Sequence, residues 1–368
     1  MPLLSLQHGL HGLHGLHGLH GLHGLHGLHG LHGLHGLHGL GGGSSGGEIA
    51  ALQSSAAALT HAAGLAALPP DNVRNLDPNA ATNMARWAPD VRGMLLQACF
   101  GARLGYVCDE TTGAVTVSFD RNAIWLAERP TDQTLAVQVG LVRNYIDQRG
   151  DRGAEVLAQM GDFSAFFGLI LGLATARNLK THELLAHVMT LAGAVSMMPK
   201  HMMACRRPDE IDLRVLPMIP TPGHAAFPSG HATQAFAMAT VLAALVRSVP
   251  GHYPDADKRI ELLYRQAHRI AVNRTVAGMH FPMDSMAGAR LGLQLGRIMV
   301  GLMSGSPKVT TKLSVNPNTQ PDKDFLFADL EADLAPLTSG PKMEKVDLFA
   351  WIWDQARAEF FVPAAPGA

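Results

Sequence analysis

The chain has 368 residues, with 29 Lys and Arg against 30 Asp and Glu, 20 His and a formal net charge of -1. That balance leaves no basic footprint of the kind that holds nucleic acid. Three cysteines, at 99, 108 and 205, are too few and too scattered for a disulfide framework or a zinc knuckle, so free thiols and a cytoplasmic setting are expected.

Residues 8–40 are eleven His-Gly-Leu triplets, followed by a Gly/Ser linker, and 1–47 hold no charged side chain other than histidine. A period of three suits neither an amphipathic α-helix nor a strand. Glycine at every third position raises the entropic cost of ordering, so 1–47 are expected to be a disordered repeat and linker. Loose collection of a transition metal by the imidazoles is the alternative use. Met1-Pro-Leu-Leu-Ser-Leu has no basic n-region and its apolar run breaks at Gln7 and His8, so no signal peptide is expected. Three parts result: the repeat 1–47, a helical domain 48–304 with its core at 130–304, and a C-terminal extension 305–368.

Residues 48–68 are rich in Ala and Leu and read as a lead-in helix ended by Pro69-Pro70. Residues 103–108 and 114–119, joined by the turn 109–113, read as a β-hairpin with no large sheet beyond it. From Asp132 the apolar period becomes 3.6, which predicts helices near 132–149, 163–177, 181–206, 230–247, 254–273 and 284–304. In the third of these, Leu184, Val188, Leu191, Val195, Met198, Met202 and Cys205 define one buried stripe. Gly168 and Gly172 suit the close packing of two helices. The extension is punctuated by Pro317, Pro321, Pro336 and Pro341, then ends in an aromatic amphipathic helix over 346–361 that would dock on the bundle, with contact at a membrane surface as the alternative. The apolar stretches 164–176, 188–199, 232–246 and 291–303 fall short of about 18 uninterrupted apolar residues, so buried helices rather than membrane spans are expected.

Three fragments carry chemistry: Lys200-x6-Arg207-Pro208, then Pro228-Ser229-Gly230-His231, then Arg274-x5-His280-x3-Asp284. Lys200 and Arg207, two turns apart on the predicted helix 181–206, would share a face and call for an anion. Ser229-Gly230-His231 enters a helix N-terminus, whose free N–H groups and dipole favour negative charge, while Gly230 lets the backbone come close to a ligand. Asp284, four residues after His280, is placed to bond its Nδ1–H and leave Nε2 free. His182-Glu183-x3-His187 resembles a zinc-binding helix, but histidines five apart lie about 140 degrees round the helix and cannot share one ion. His224 is placed in a loop that could line the mouth of the site.

This triplet is similar to the signature of the superfamily of type 2 phosphatidic acid phosphatases, bacterial class A acid phosphatases and vanadium haloperoxidases. The resemblance covers roughly 130–304 and implies a mainly α fold, a helical bundle with the site at its centre. It departs at Asn273, where relatives usually carry Ser before the motif arginine. Carried over by position, the resemblance implies that Lys200, Arg207, Arg274, Ser229 and the Gly230 N–H bind phosphoryl oxygens. His280 would attack phosphorus, Asp284 would orient it, and His231 would be the acid and base.

The function implied is metal-independent hydrolysis of a phosphomonoester or lipid phosphate through a phosphohistidine, with no cofactor. A vanadium-dependent haloperoxidase is the alternative, with vanadate held in the same pocket and His280 as its axial ligand. A third reading is a non-catalytic bundle that binds a phosphorylated ligand or partner. The expected partner in the first reading is a small-molecule or lipid phosphate, with no nucleic acid and no integral span; the motifs alone do not separate the first two readings.

Overall fold

The structure is a computed structural model that describes residues 75–78, 80 and 82–361. The His-Gly-Leu repeat and the expected lead-in helix at 48–68 lie outside the described residues. In chain order come α1 (Thr82–Arg86), α2 (Pro89–Gly101), β1 (Leu104–Cys108), β2 (Val115–Phe119), β3 (Asn122–Ala127), α3 (Asp132–Asn144), α4 (Arg149–Ala158) and α5 (Ser164–Leu171). They are followed by α6 (Leu179–Met203), the single turn α7 (Pro208–Ile211), α8 (Gly230–Ser248), α9 (Ala256–Val276), α10 (Pro282–Ser304), β4 (Leu313–Val315) and α11 (Asp347–Ala358).

The alanine-rich α8 runs through the centre, packed on α10, α9 and α6 and buried along most of its length. Facing it, α10 presents Gly288, Gly292 and Gly296 at four-residue spacing, one above another on a single face. A Cβ at Gly288 would stand 2.4 Å from the Ser229 carbonyl oxygen, and one at Gly292 would stand 2.3 Å from that of Thr233. The two backbones are therefore in direct contact. The pair read from the sequence as a close-packing site, Gly168 and Gly172, works differently: Gly172 takes φ 66° as the left-handed cap that ends α5.

The predicted hairpin forms, with Leu104 opposite Phe119 and Cys108 opposite Val115. It is part of a four-stranded sheet in the order β1-β2-β3-β4, antiparallel as far as β3 and parallel between β3 and β4. The turn into β3 is Asp120-Arg121, both at positive φ (48° and 67°) as a two-residue hairpin turn requires, but without the glycine that announces one. The Trp125 indole N–H donates to the Ala287 carbonyl at 3.1 Å and fastens the sheet to α10.

Several predicted helices are shorter. The segment 132–149 holds α3 and a short 3-10 turn at Ile146–Gln148, while α4 begins at its last residue and continues where no helix was expected. Helix α6 stops at Met203 because Ala204 turns left-handed at φ 47°, so Arg207 lies beyond the helix that carries Lys200 rather than on it. Leu184, Val188, Leu191 and Val195 are buried as the stripe predicts, but Met198 is 41% exposed and Ser196, Pro199, Lys200 and Met203 turn inward instead. A 3.6-residue helix drifts against a four-three pattern, and the buried face moves with it.

In the C-terminal segment, Phe349, Ile352, Trp353 and Ala356 form the buried face of α11, which lies on α10 and α6. The Glu359 carboxylate accepts from the backbone N–H groups of Lys180 (2.6 Å) and Thr181 (3.0 Å) and from the Thr181 hydroxyl (2.7 Å). It thereby caps α6, whose own N-cap residue Asn178 makes no side-chain cap bond. Among the described residues, no helix is long and apolar enough to cross a membrane.

Candidate active site

The motif residues lie at the ends of helices. Lys200 is in the last turn of α6, Arg207 begins α7, Ser229 is the N-cap of α8 with Gly230 and His231 in its first turn, and Arg274 is in the last turn of α9. His280 precedes α10 and Asp284 is in its first turn. The left-handed turn at Gly278 (φ 81°) sends the chain back, so that the Arg274 carbonyl accepts from the Met279 N–H at 2.9 Å and the His280 N–H at 3.3 Å.

Contacts join all eight positions into one site. His280 Nδ1 lies 2.9 Å from Asp284 Oδ2, an oxygen that also accepts from the Phe281 N–H at 3.0 Å. Arg207 Nη1 lies 3.2 Å from His280 Nε2 and 2.8 Å from the Met279 carbonyl oxygen. The Ser229 N–H donates to the Asp284 carbonyl at 2.9 Å, which ties the second motif to the third. Lys200 donates to the Ala225 and Ala226 carbonyls, both at 2.9 Å, and its Cε stands 3.9 Å from the place a Cβ would take on Gly230. The Ser229 hydroxyl oxygen accepts from the Ala232 N–H at 3.3 Å as a helix cap, which leaves its own hydrogen to donate elsewhere.

Gln159, which the sequence reading passed over, joins the remaining two. Its backbone carbonyl lies 2.9 Å from His231 Nε2. Its side-chain oxygen accepts from Arg274 Nη2 at 3.3 Å and from Asn273 Nδ2 at 2.9 Å. A carbonyl only accepts, so His231 carries its hydrogen on Nε2, and Nδ1 is the nitrogen left for proton transfer. The Phe163 ring stacks on the imidazole, with centroids 5.5 Å apart. Gln159 emerges from the end of α4, a helix that the apolar pattern did not predict. His224 reaches the site as well: its Nδ1 is 3.0 Å from Arg207 Nη2 and its carbonyl accepts from Arg207 Nε at 3.0 Å.

Charge is unbalanced here. Lys200, Arg207 and Arg274 are all buried, and Asp284 is the one carboxylate buried with them. Arg274 donates through Nη2 to the Val156 carbonyl and to Gln159, yet its Nε and Nη1 are buried without a partner. Burial pushes the Lys200 ammonium well below its usual range, with Arg207 adding to the effect, and lowers Arg274 to about 10. Burial lowers His231 to about 3, with Arg274 next in effect, and holds His280 well below the usual imidazole value, with Arg207 and Lys200 adding. Burial raises Asp284 to about 7, while Lys200, the Phe281 N–H and Arg207 pull it back. The shifts of Lys200, Arg274, His231 and His280 each disfavour a positive charge that a bound anion would compensate.

Among the described residues, no group of three or more His, Cys, Asp or Glu side chains is placed to hold a metal ion. The zinc-like pattern on α6 is an ion-pair cluster instead, in which Glu183 binds Arg92, Lys180 (2.8 Å) and, at 3.4 Å, His187. The three cysteines are free, and burial pushes the Cys205 thiol up to about 12.

No curated protein sequence matches the chain. The crystal structure of a transmembrane PAP2 type phosphatidylglycerolphosphate phosphatase from Bacillus subtilis is similar over 46% of this chain and 85% of that chain, at 18% identity and a TM-score of 0.37. The family model of the PAP2 superfamily matches residues 183–307, which include every motif residue from Lys200 to Asp284. With the three motifs gathered round one buried, cation-rich centre, the segment 183–307 is similar to the PAP2 superfamily.

Proposed function

We propose that this chain is a phosphatase that hydrolyses a phosphomonoester or a lipid phosphate through a phosphohistidine on His280. The observation that carries the reading is Arg274: two of its nitrogens, Nε and Nη1, are buried without a partner, in a site where three cations face one carboxylate. A tetrahedral oxyanion supplies the acceptors and the charge that this arrangement lacks.

The His280 imidazole is set up as a nucleophile. Nδ1–H donates to Asp284, which puts the lone pair on Nε2, and Arg207 guards that lone pair with an N–H until a phosphoryl oxygen takes the donor over. Nε2 then attacks phosphorus and the P–O bond to the leaving alkoxide breaks. Lys200, Arg207, Arg274, the Ser229 hydroxyl and the Gly230 N–H share the charge on the remaining oxygens. The bound phosphoryl anion favours a protonated His231, whose imidazolium gives the alkoxide its Nδ1 proton; in the second half Nδ1 takes a proton from the water that cleaves the P–N bond. The charge stabilisation comes from fixed side chains, which is why the reading calls for no metal. Lys200, Arg207, Arg274, Ser229 and His280 would hold vanadate as they would a phosphoryl group, which makes vanadate a probe of the site.

The test is hydrolysis of p-nitrophenyl phosphate by wild type and His280→Ala, with phosphate transfer trapped as an acid-labile, alkali-stable label. Hydrolysis and label in the wild type, both lost in the variant and suppressed by vanadate, are the expected results. Peroxide-dependent bromination by the vanadate-loaded protein without hydrolysis would move the reading to the haloperoxidase class. A variant as active as wild type would leave a binding role only.

A further inference from the structure

Gln159 is fully buried between α4 and the site. Its side-chain N–H donates to Glu155 Oε1 at 3.0 Å, its Oε1 receives Arg274 and Asn273, and its main-chain oxygen receives His231. The orientation of the amide is determined by chemistry: a guanidinium only donates and a carboxylate only accepts, so oxygen must face Arg274 and nitrogen must face Glu155. Glu155 is in turn gripped by Arg269 through Nε (2.9 Å) and Nη2 (2.7 Å). Asn273, also fully buried, takes a bond from Arg152 at 3.1 Å on its other side.

We propose that Gln159 is a positioning residue that sets Arg274 and His231 in fixed relation across the anion site, its side chain aiming the guanidinium and its carbonyl aiming the imidazole. The inference rests on the phosphoryl-transfer reading above. Of the bonds Arg274 makes from its side chain, one goes to a main-chain oxygen, Val156, and the other to the Gln159 amide. Removal of the amide leaves the guanidinium held at a single point and free to turn, and its unpartnered Nε and Nη1 then lose their aim. Asn273 gains a meaning here too. Its amide links Arg152 to Gln159 and donates to the same Gln159 oxygen that accepts from Arg274.

The two arms of Gln159 predict different responses. Gln159→Met keeps length and volume, keeps the main-chain carbonyl on His231, and removes the side-chain bond to Arg274. Vanadate and inorganic phosphate should bind about tenfold more weakly, as expected for one lost hydrogen bond to a charged group, and KM for p-nitrophenyl phosphate should rise. The limb of the pH profile set by His231 should stay in place, which a general loosening of the fold would not leave untouched.

The experiment measures vanadate binding by equilibrium titration in wild type, Gln159→Met, Arg274→Ala and the double variant. Weaker binding in Gln159→Met that adds nothing in the Arg274→Ala background is the expected result, because the residue acts through the arginine. Unchanged binding in the single variant, or a fully additive loss in the double, would overturn the inference and leave the phosphatase reading intact. Wild-type protein that binds neither vanadate nor phosphate would overturn both. Asn273→Ala gives a second reading of the same brace should Gln159→Met fail to fold: weaker vanadate binding supports the inference, and binding equal to wild type overturns it.

Discussion

Arg207 Nη1 and His280 Nε2 lie 3.2 Å apart, and because a guanidinium only donates, the imidazole nitrogen that faces the cationic centre is the unprotonated one. Asp284 on the opposite side of the ring holds the hydrogen on Nδ1. The tautomer of the proposed nucleophile is thus fixed from both sides.

Replacement of Asp284 by Asn tests that arrangement. An amide retains the size but not the charge, and it can present N–H groups where the imidazole also donates, so the wrong tautomer becomes favoured. The rate constant kcat should fall by roughly 10²–10⁴-fold, the range expected when a carboxylate that orients a catalytic histidine is neutralised. KM for p-nitrophenyl phosphate should change little, since Asp284 binds no substrate oxygen. Steady-state kinetics with circular dichroism as a control for folding would check both.

His231 gives a pH prediction with a definite sign. Its pKa in the folded protein is lowered to about 3 by burial and by Arg274, below the unfolded value of about 6.5. The folded state therefore resists protonation of this ring: the associated stability is present above pH ~6.5 and is lost as pH falls toward 3. His231→Gln lacks this contribution. The stability gap between wild type and variant should shift in favour of the variant as pH is lowered from 7 to 4, in thermal or urea unfolding. Phosphate should oppose the shift in the wild type, because an anion beside the ring favours its charged form.

Gly292 leaves no room for a methyl group. Gly292→Ala would set a Cβ 2.3 Å from the Thr233 carbonyl oxygen, which can move only if α8 moves. A loss of about 1–3 kcal/mol is expected, as for other overpacked cores. Activity should fall by more than the folded fraction accounts for, because Ser229 and Asp284 ride on the two helices that are forced apart. Denaturation midpoints and activity per folded molecule are the measurements.

Glu359 is a cap supplied from outside the helix it serves. Glu359→Ala would leave the Lys180 and Thr181 N–H groups without their acceptor and should cost about 1–2 kcal/mol, in the range of a lost N-cap. Urea unfolding would read this loss, and kcat should stay close to wild type because Glu359 touches no motif residue.

The site was legible because its residues occur in three short strings whose internal spacing survives any arrangement of the helices around them. His280 and Asp284 needed only four residues of chain to find each other. What the sequence concealed was held by the main chain or by position. Arg207 reaches the site because Ala204 ends α6 in a left-handed turn that alanine rarely announces. Gln159 acts partly through a carbonyl, a group that every residue possesses. Strand β3 follows a turn of Asp120-Arg121 with no glycine, and β4 is three residues long, so neither rises above its surroundings in a pattern of apolar residues. The glycine stripe of α10 was present in the sequence, but its meaning lay in the partner helix.

The parallel seam between β3 and β4 joins Trp125 to Leu313 and Ala127 to Val315, and the Glu359 cap joins residues 180 and 359. Both closures wait for the last fifth of the chain to be made. A nascent polypeptide that already contains all three motifs still has a bare strand edge along 125–127 and an uncapped end on the helix that carries Lys200. A chain that folded before those residues were made would present that edge to other chains.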